Sequence, residues 1–225
     1  LVDLDVLGVD SVKKLLNLPA TRALVELLPR MSRASGDEVA LDGVVALHQS
    51  GLHVLSAIAN PRQVSQLDLA ALPHLLRLLS HRYAYTIIDG GKTFSDVLLT
   101  AFEAADLLLL VTQPALLMLY QTKLALGMIE SFAFPAQMVK AVLNHAAPNL
   151  DVQEMRSIIP CEVLGVVPSD DSVMGPSIAQ GRPVVMAFHH SPVAQAFDEL
   201  ATQLLRRDNS CRATSVPSVT PTTSP

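Results

Sequence analysis

The stretch "YTIIDGGKT", residues 85–93, places Asp89 directly after a short apolar run and follows it with Gly90 and Gly91. The apolar run is typical of a buried strand, and glycine adopts backbone conformations that other residues rarely reach. A carboxylate at the end of such a strand can reach a metal ion that is bound to a phosphate. The same pattern also fits an ordinary strand that ends in a turn. The rest of the sequence has to separate these two interpretations.

The composition favours a compact α/β protein. Half of the 225 residues are hydrophobic and 16% are charged, with a mean hydropathy of +0.37. No uninterrupted apolar run reaches the roughly 18 residues that a membrane-spanning helix needs. The net charge of −5 and the lack of Trp argue against nucleic-acid binding, which uses a basic face and often stacking rings. Two cysteines do not form a disulfide framework, which favours a reducing, cytoplasmic setting.

Strand-like and helical runs alternate along the chain. The predicted strands cover residues 1–4, 51–57, 83–89, 106–114, 136–145 and 162–168. The predicted helices cover residues 10–18, 21–28, 37–49, 67–81, 94–105, 115–132, 151–159, 171–181 and 191–207. This alternation predicts a doubly wound, mostly parallel sheet with helices on both faces. Residues 208–225 are rich in Ser, Thr and Pro, and we expect a disordered tail after a domain that spans residues 1–207.

In a doubly wound sheet, ligands bind beyond the carboxyl ends of the strands. The polar residues at the predicted strand ends are therefore the candidates for a functional site. Asp3 and Asp5 close the first run and Asp89 closes the third, where it fits the aspartate of a Walker B strand. Carboxylates at two neighbouring strand ends would suit a hard cation such as Mg²⁺.

Seven segments follow one another in an order that resembles a known family. They are "LVDLD", "SGLHVL", "YTIIDGG", "EAADLLLLVTQP", "KAVLNH", "LGVVPSD" and "GRPVVMAFHHSPVAQAFDELA". Together they resemble the MinD/ParA-type deviant Walker ATPases, a branch of the P-loop NTPases. The similarity is closest to the CpaE/TadZ branch, the pilus-assembly proteins of the Flp (tight adherence) secretion system. It covers about residues 1–205.

The resemblance implies roles for individual residues and implies ATP and Mg²⁺ as cofactors. Asp5 would orient or activate the attacking water next to Mg²⁺, with Asp3 as the supporting carboxylate. Asp89 would hold Mg²⁺ through a water molecule. Asn144 would hydrogen-bond the adenine edge, and Pro168 to Asp170 would line the pocket for the base.

The chain departs from the family pattern at several positions. Asp10 stands where this branch usually has another aspartate, but Leu7 and Val9 replace the usual glutamine and glycine. The family usually has a proline at the position of Gly91 and often an arginine at that of Lys92. Because a glycine replaces the proline, we expect the loop after Asp89 to be more flexible than in relatives.

The glycine-rich phosphate loop is absent from the sequence. Neither "GxxxxGK[ST]" nor a "KGGxGxT" variant occurs in it, although the backbone and lysine of this loop supply most of the phosphate binding. In the family the loop precedes the strand that ends in "VDLD". We therefore expect the first strand and the P-loop to lie upstream of Leu1.

Three functions are compatible with these observations. The first is a nucleotide-dependent positioning factor that forms a homodimer over ATP and docks pilus or secretion proteins at the inner membrane face or cell pole. The second is a ParA-like DNA-partitioning ATPase, which the net charge of −5 disfavours. The third is a non-catalytic interaction scaffold with a degenerate ATPase fold. Residues encoded before Leu1 would separate the first from the third, because a lysine-bearing glycine loop there supports an ATPase.

The last predicted helix has two interpretations. Its apolar residues fall on one face at helical spacing, namely Val193, Ala196, Phe197, Leu200 and Leu204. This face would serve to cover the sheet, or would contact the membrane as the C-terminal helices of MinD-like proteins do. Core packing is favoured because the polar face carries only two arginines. Ser191 and Pro192 are suited to the start of this helix.

We expect the 225-residue chain to show no ATPase activity above background, because its sequence holds no phosphate loop. A coupled phosphate-release assay with ATP and Mg²⁺ would measure this. Steady turnover by the 225-residue chain would contradict the prediction.

Overall fold

The computed structural model describes residues 1–31, 41, 43–147 and 150–214. Its strands are β1 (Val2–Asp3), β2 (Ala46–Leu47), β3 (His53–Ser56), β4 (Ile88–Asp89), β5 (Leu108–Thr112), β6 (Val139–Ala146) and β7 (Glu162–Pro168). Its helices are α1 (Ser11–Leu15), α2 (Leu24–Met31), α3 (Leu72–Arg82), α4 (Asp96–Phe102), α5 (Leu116–Ser131), α6 (Val152–Ile158), α7 (Asp171–Ala179), α8 (Val184–Ala187) and α9 (Pro192–Thr214). Short 3₁₀ helices cover Pro61–Gln66 and Ala136–Met138. The predicted α/β fold with a mostly parallel sheet is confirmed.

The chain divides into two compact units. The first comprises Leu1–Leu108 and Gly175–Pro183, and the second comprises Leu109–Met174 and the chain from Val184 onward. The division passes through α7, between Met174 and Gly175.

The first unit is built on a four-stranded sheet with the order β2-β3-β1-β4. Strand β1 is parallel to both of its neighbours, β3 and β4, whereas β2 runs antiparallel to β3. Helices α2 and α3 bury leucines against the sheet, since Leu24, Leu28, Leu72 and Leu75 are each fully enclosed. This burial keeps β1 in the interior of the unit. The carboxyl end of β1 lies at the edge of the sheet where ligands bind in such folds.

The first unit also encloses a lysine. The ammonium of Lys13 lies 3.2 Å from Asp10 Oδ1 and donates to Thr21 Oγ1 at 2.8 Å. Asp10 has a left-handed backbone conformation (φ 56°) and also accepts a hydrogen bond from Ser56 Oγ at 2.9 Å. A buried ammonium needs such partners because desolvation of an unpaired charge is costly. The network therefore ties the start of α1 to the end of β3.

The second unit contains a three-stranded sheet with the order β5-β6-β7. Strand β6 is parallel to β7, and its first five residues are all buried. Helix α9 packs on β7 and begins as predicted, with Ser191 Oγ accepting a hydrogen bond from the amide of Ala194 at 3.2 Å. Glu162 forms salt bridges with both Lys140 of β6 and Arg207 of α9.

The core interpretation of the last helix fits the structure better than the membrane one. Val193 is buried in a cluster with Val142, Val167 and Val184, and Ala196 and Leu200 pack against it. Two residues of the predicted face depart from this packing, because Phe197 is exposed and Leu204 is only half-buried outside the cluster. In the part of the chain that the structure describes, no helix has the length and apolar character needed to span a bilayer.

Several element boundaries differ from the sequence-based prediction. The helix predicted over 37–49 is wrong in its described part, where β2 pairs with β3 through a turn at Gly51 (φ 87°). Residues 32–40 and 42 of this region lie outside the described residues. The strand predicted over 83–89 is reduced to Ile88–Asp89. Helix α9 continues to Thr214, so it enters the predicted tail, while residues 215–225 lie outside the described part.

Candidate functional site

Three polar residues meet at the carboxyl ends of three adjacent strands in the first unit. Asp3 of β1 stands in register with Ser56 of β3 on one side and with Asp89 of β4 on the other. The backbone continues this alignment, since the amide of Ala57 donates to Asp3 O and that of Leu4 donates to Asp89 O, both at 2.8 Å. Parallel pairing of these short strands therefore brings together two of the carboxylates that the sequence predicted as a site.

The carboxylate of Asp3 is buried with one oxygen unsatisfied. The residue is 2% exposed, and its Oδ1 accepts a hydrogen bond from the amide of Asp5 at 3.2 Å. Among the described residues, its Oδ2 has no partner within hydrogen-bonding geometry, although the backbone amide of Val12 also acts on this carboxylate. Burial is the main cause that raises the pKa of Asp3 to about 6; the negative charges of Asp89 and Asp5 act in the same direction, and the amides of Asp5 and Val12 oppose the shift. An orphaned oxygen in this position is costly unless a cation or a donor approaches it.

Asp5 lies in the loop that leaves β1, and two glycines crowd it. Its Oδ1 accepts a hydrogen bond from the amide of Leu7 at 3.0 Å. A Cβ atom built on Gly8 would lie 2.7 Å from Asp5 Oδ2, and one built on Gly91 would lie 2.7 Å from Asp5 Oδ1. The carboxylate of Asp5 therefore sits directly against the loop that follows Asp89.

Asp89 shapes the same loop from the other side. Its Oδ1 accepts a hydrogen bond from the amide of Gly91 at 3.0 Å, and the residue is exposed. Gly91 has φ 66°, a left-handed conformation that a proline cannot adopt. The loop thus follows a different path from one built around a proline, and the expected greater flexibility stays a prediction.

Asp3, Asp5 and Asp89 form one acidic patch, which we call the carboxylate patch. Among the described residues, no group of three or more His, Cys, Asp or Glu side chains is arranged to ligate one metal ion directly. Mg²⁺ retains several water ligands in proteins and is commonly held by one or two carboxylates. The geometry therefore suits a water-mediated divalent cation better than a fully protein-ligated one.

Of two polar residues next to the patch, one is a strand-end candidate and the other was missed by sequence reasoning. Ser56 ends the strand predicted over residues 51–57, is 1% exposed, and as the register partner of Asp3 donates a hydrogen bond to Asp10. Lys13 is the buried cation behind it, and no sequence pattern indicated it, because a lysine in a short helix is common on protein surfaces.

The residues predicted to contact adenine come together in the second unit. Asn144 lies in β6 and Pro168 ends β7, where the amide of Ser169 donates to Ala146 O at 3.0 Å. Asn144 Oδ1 accepts a hydrogen bond from the amide of His145 at 3.0 Å. Asp170 accepts from the amide and hydroxyl of Ser172 at the start of α7, at 3.1 and 2.6 Å. Asp170 therefore caps a helix, and Asn144 keeps its amide NH₂ group as a donor.

A cavity of about 290 Å³ lies at the opposite ends of β1 and β3. It is lined by Leu1, His53, Tyr83 and Thr86 among others, which lie at or before the beginnings of these strands. The cavity is therefore separate from the carboxylate patch, and we assign it no part in the candidate site.

Comparison with solved structures identifies the fold. A ParA family ATPase from Chlorobium tepidum superposes with a TM-score of 0.79 at 21% identity, covering 90% of this chain and 84% of that one. The septum site-determining protein MinD from Pyrococcus horikoshii, solved with Mg-ADP, gives a TM-score of 0.73 at 21% identity, with coverages of 90% and 81%. The chain therefore has the α/β fold of the MinD/ParA P-loop ATPases.

Sequence relatives agree with this assignment. An uncharacterized ATP-binding protein of Methanocaldococcus jannaschii is 23% identical over 200 residues, which cover 88% of this chain and 75% of the relative. A putative MinD of Guillardia theta is 25% identical over 211 residues, with coverages of 91% and 76%. No family model matches the sequence.

We expect Asp3→Asn to gain stability relative to the wild type as the pH rises. The folded-state pKa of Asp3 is raised from 3.8 to about 6, so the folded protein binds a proton more tightly than the unfolded chain. The wild type therefore loses stability between these two pH values, and the uncharged variant does not. The difference in free energy of unfolding should change by about 2 kcal/mol in favour of the variant between pH 4 and pH 7. Urea denaturation across this range measures it, and a constant difference would contradict the prediction.

We expect Gly91→Ala to be more destabilising than Gly51→Ala. Both glycines have a positive φ, but a Cβ at Gly51 would meet no atom within 4 Å, whereas one at Gly91 would strike Asp5. Gly51→Ala should cost roughly 1 kcal/mol from backbone strain alone, and Gly91→Ala about 3 kcal/mol. Equal losses in urea denaturation would show that Asp5 does not press on this loop.

Proposed function

We propose that this protein is a nucleotide-dependent positioning factor that uses Mg²⁺ and ATP to control assembly of a Flp/Tad pilus or a related secretion machine. The observation that carries the nucleotide part is the carboxylate patch, in which Asp3 stands in register with Asp89 and Asp5 lies against the loop after Asp89. The solved MinD with Mg-ADP supports the cofactor assignment, because this chain has the same fold. The pilus assignment is supported by the resemblance of the strand-end segments to the CpaE/TadZ branch.

Within this proposal each acidic residue has a different task. Asp5 and Asp89 hold the Mg²⁺ shell, Asp89 through a water molecule, because their carboxylates flank the same glycine loop. Asp5 orients the attacking water. Asp3 supports both from the interior, since its Oδ1 accepts a hydrogen bond from the amide of Asp5 and so fixes the start of the loop. Bound Mg²⁺ would supply the charge that stabilises the phosphate oxygens during transfer.

The base is recognised in the second unit. Asn144 has an amide NH₂ group available to donate to the adenine edge, and Pro168 to Asp170 would line the pocket for the base. Asp170 contributes mainly by capping α7, which keeps this loop in place.

The partners in this proposal are a second copy of the chain and pilus or secretion proteins, at the inner membrane face or cell pole. A solved complex of MinC with MinD from Aquifex aeolicus has the same fold in its MinD chain and supports a role in recruiting other proteins. Nucleic acid is a less favoured partner, because the chain carries a net charge of −5. A ParA-like partitioning role would require a basic surface.

A non-catalytic scaffold is the second candidate. It is favoured by the departures from the family pattern at Leu7, Val9 and Gly91, which lie in the loops around Asp5 and Asp89. A scaffold of this kind would keep the fold and the assembly surfaces without requiring metal or nucleotide.

Titration with Mg²⁺ tests the proposal at the carboxylate patch. We expect saturating Mg²⁺ to stabilise the wild type, by about 1.4 kcal/mol at a concentration ten times the dissociation constant. Asp5→Asn and Asp89→Asn should each weaken this response strongly, because each removes a negative charge and a carboxylate oxygen from the patch that holds the cation or its bound water. Thermal unfolding measures the stabilisation. Binding is measured directly with Mn²⁺ in place of Mg²⁺, from the paramagnetic broadening of the protein's NMR signals.

The matched control is Asp106→Asn, which removes an exposed carboxylate outside the patch. This variant should respond to Mg²⁺ as the wild type does. A wild type without any metal response, or a response that survives in both patch variants, would refute the metal site and favour the scaffold.

A further inference from the structure

Lys13 is a fully buried cation whose partners lie beside the carboxylate patch. Its ammonium contacts Asp10 Oδ1 and Thr21 Oγ1. Thr21 in turn donates to Val44 O at 3.3 Å, which anchors the ammonium to a second segment of the first unit. A buried ion pair adds little net stability compared with apolar residues of the same size. The enclosure of Lys13 is therefore better explained by what it holds in place.

Asp10 is held in an unfavourable backbone conformation by these contacts. It occupies the N-cap position of α1 with a φ of 56°, a left-handed conformation that costs a non-glycine residue free energy. Its Oδ1 faces Lys13 Nζ at 3.2 Å and Ser56 Oγ at 2.9 Å. An aspartate at this position ordinarily accepts from the first amides of its helix instead. The two side-chain contacts thus keep the chain in a turn that its backbone does not favour.

The same turn closes the loop that leads from Asp5 into α1. The amide of Ser11 donates to Gly8 O at 2.8 Å. A Cβ built on Gly8 would lie 3.2 Å from Ser11 Oγ and 2.7 Å from Asp5 Oδ2. Gly8 is therefore enclosed between the first turn of α1 and the carboxylate of Asp5. A displacement of that turn would remove the support on one side of this carboxylate.

A second contact joins α1 to the patch. The backbone amide of Val12 acts on the buried carboxylate of Asp3. Ser56, which donates to Asp10, is also the register partner of Asp3. The first turn of α1 therefore meets the patch at two points, and Lys13 holds this turn from the interior.

We propose that Lys13 is a positioning residue for the carboxylate patch, which keeps Asp5 against the loop after Asp89 by holding the first turn of α1. The contacts run from the ammonium through Asp10 to the closed loop, and from Gly8 to Asp5 Oδ2. Where it concerns a metal ion, this inference rests on the proposed function. Partners behind the groups that hold a metal ion typically contribute about 10–100-fold to its affinity.

Loss of the Lys13 charge affects cation binding in two opposite directions. Electrostatics alone predicts tighter binding, because a nearby positive charge repels a divalent cation. Loss of positioning predicts weaker binding, because Asp5 then no longer lies where it shares the hydration shell of the cation with Asp89. The sign of the change therefore separates a positioning role from an effect of charge.

NMR spectroscopy of the 225-residue chain in EDTA tests the positioning without metal. In the wild type we expect a nuclear Overhauser contact between the Hβ atoms of Asp5 and the Hα atoms of Gly91, since a Cβ built on Gly91 would lie 3.0 Å from Asp5 Cβ. Lys13→Met removes the charge and keeps an unbranched side chain, and it should lose this contact. Ser56→Ala removes the other partner of Asp10 without a change of charge, and it should weaken the contact.

Titration with Mn²⁺, followed by paramagnetic broadening, measures the consequence for the metal site. Lys13→Met should raise the dissociation constant about tenfold or more, and Ser56→Ala should raise it in the same direction. Lys14→Met is the matched control, because Lys14 lies on the same helix with an exposed side chain. This control should keep the Overhauser contact and bind Mn²⁺ no more weakly than the wild type. Circular dichroism should show unchanged helix content in all three variants.

Three results would overturn the proposal: an Overhauser contact that persists in folded Lys13→Met, Mn²⁺ binding in this variant that is unchanged or tighter, or equal weakening in Lys14→Met. If Lys13→Met does not fold, Ser56→Ala decides the outcome by the same two measurements. A wild type that shows the Overhauser contact but binds no Mn²⁺ would refute the metal site alone. In that case the contact measured in EDTA decides whether Lys13 positions Asp5.

Discussion

The parallel pairing of β1 with its two neighbours is the constraint on which the candidate site depends. Each of β1 and β4 is only two residues long, yet the register sets Asp3 beside both Ser56 and Asp89. A shift of one residue would turn Asp3 to the other face of the sheet and separate it from these partners. The leucines of α2 and α3 oppose such a shift, because they bury the apolar residues of β1 and β3. Hydrophobic packing thus keeps the carboxylate of Asp3 buried, although its hydration would favour a position in water.

The acidic residues interact through the loops as much as through the strands. Asp5 lies between two glycines, and Asp89 holds the second of these by a hydrogen bond to its amide. A movement of Asp5 must therefore displace the loop after Asp89, and a change in that loop must disturb Asp5. This coupling follows from steric contact and does not require a flexible loop.

The sequence was sufficient to predict the fold class and the strand ends because both depend on local patterns. Alternating apolar runs predict parallel strands and helices, and polar residues closing those runs predict the edge where ligands bind. The helix predicted over 37–49 failed because its apolar spacing also fits a short strand, and the pairing of Ala46 with Val54 decided the outcome. Ser56 could be singled out from its position at a strand end, whereas Lys13 could not, because a lysine in a short helix is ordinarily exposed and its burial depends on how Asp10 and Thr21 pack around it. For helix α5 the sequence is misleading in the opposite direction. Its leucines at 116, 117 and 124 suggest a core position, but these side chains are exposed.

The ion pair of Lys13 and Asp10 constrains which substitutions these two positions can accept in evolution. Replacing Asp10 alone leaves the buried ammonium of Lys13 without its ionic partner, whereas replacing both residues with apolar ones of similar size removes this cost. Loss of the aspartate should therefore be accompanied by loss of the lysine. A homologue that has lost the aspartate is expected to lack the lysine as well, and the left-handed turn at position 10 then becomes free to accept a glycine.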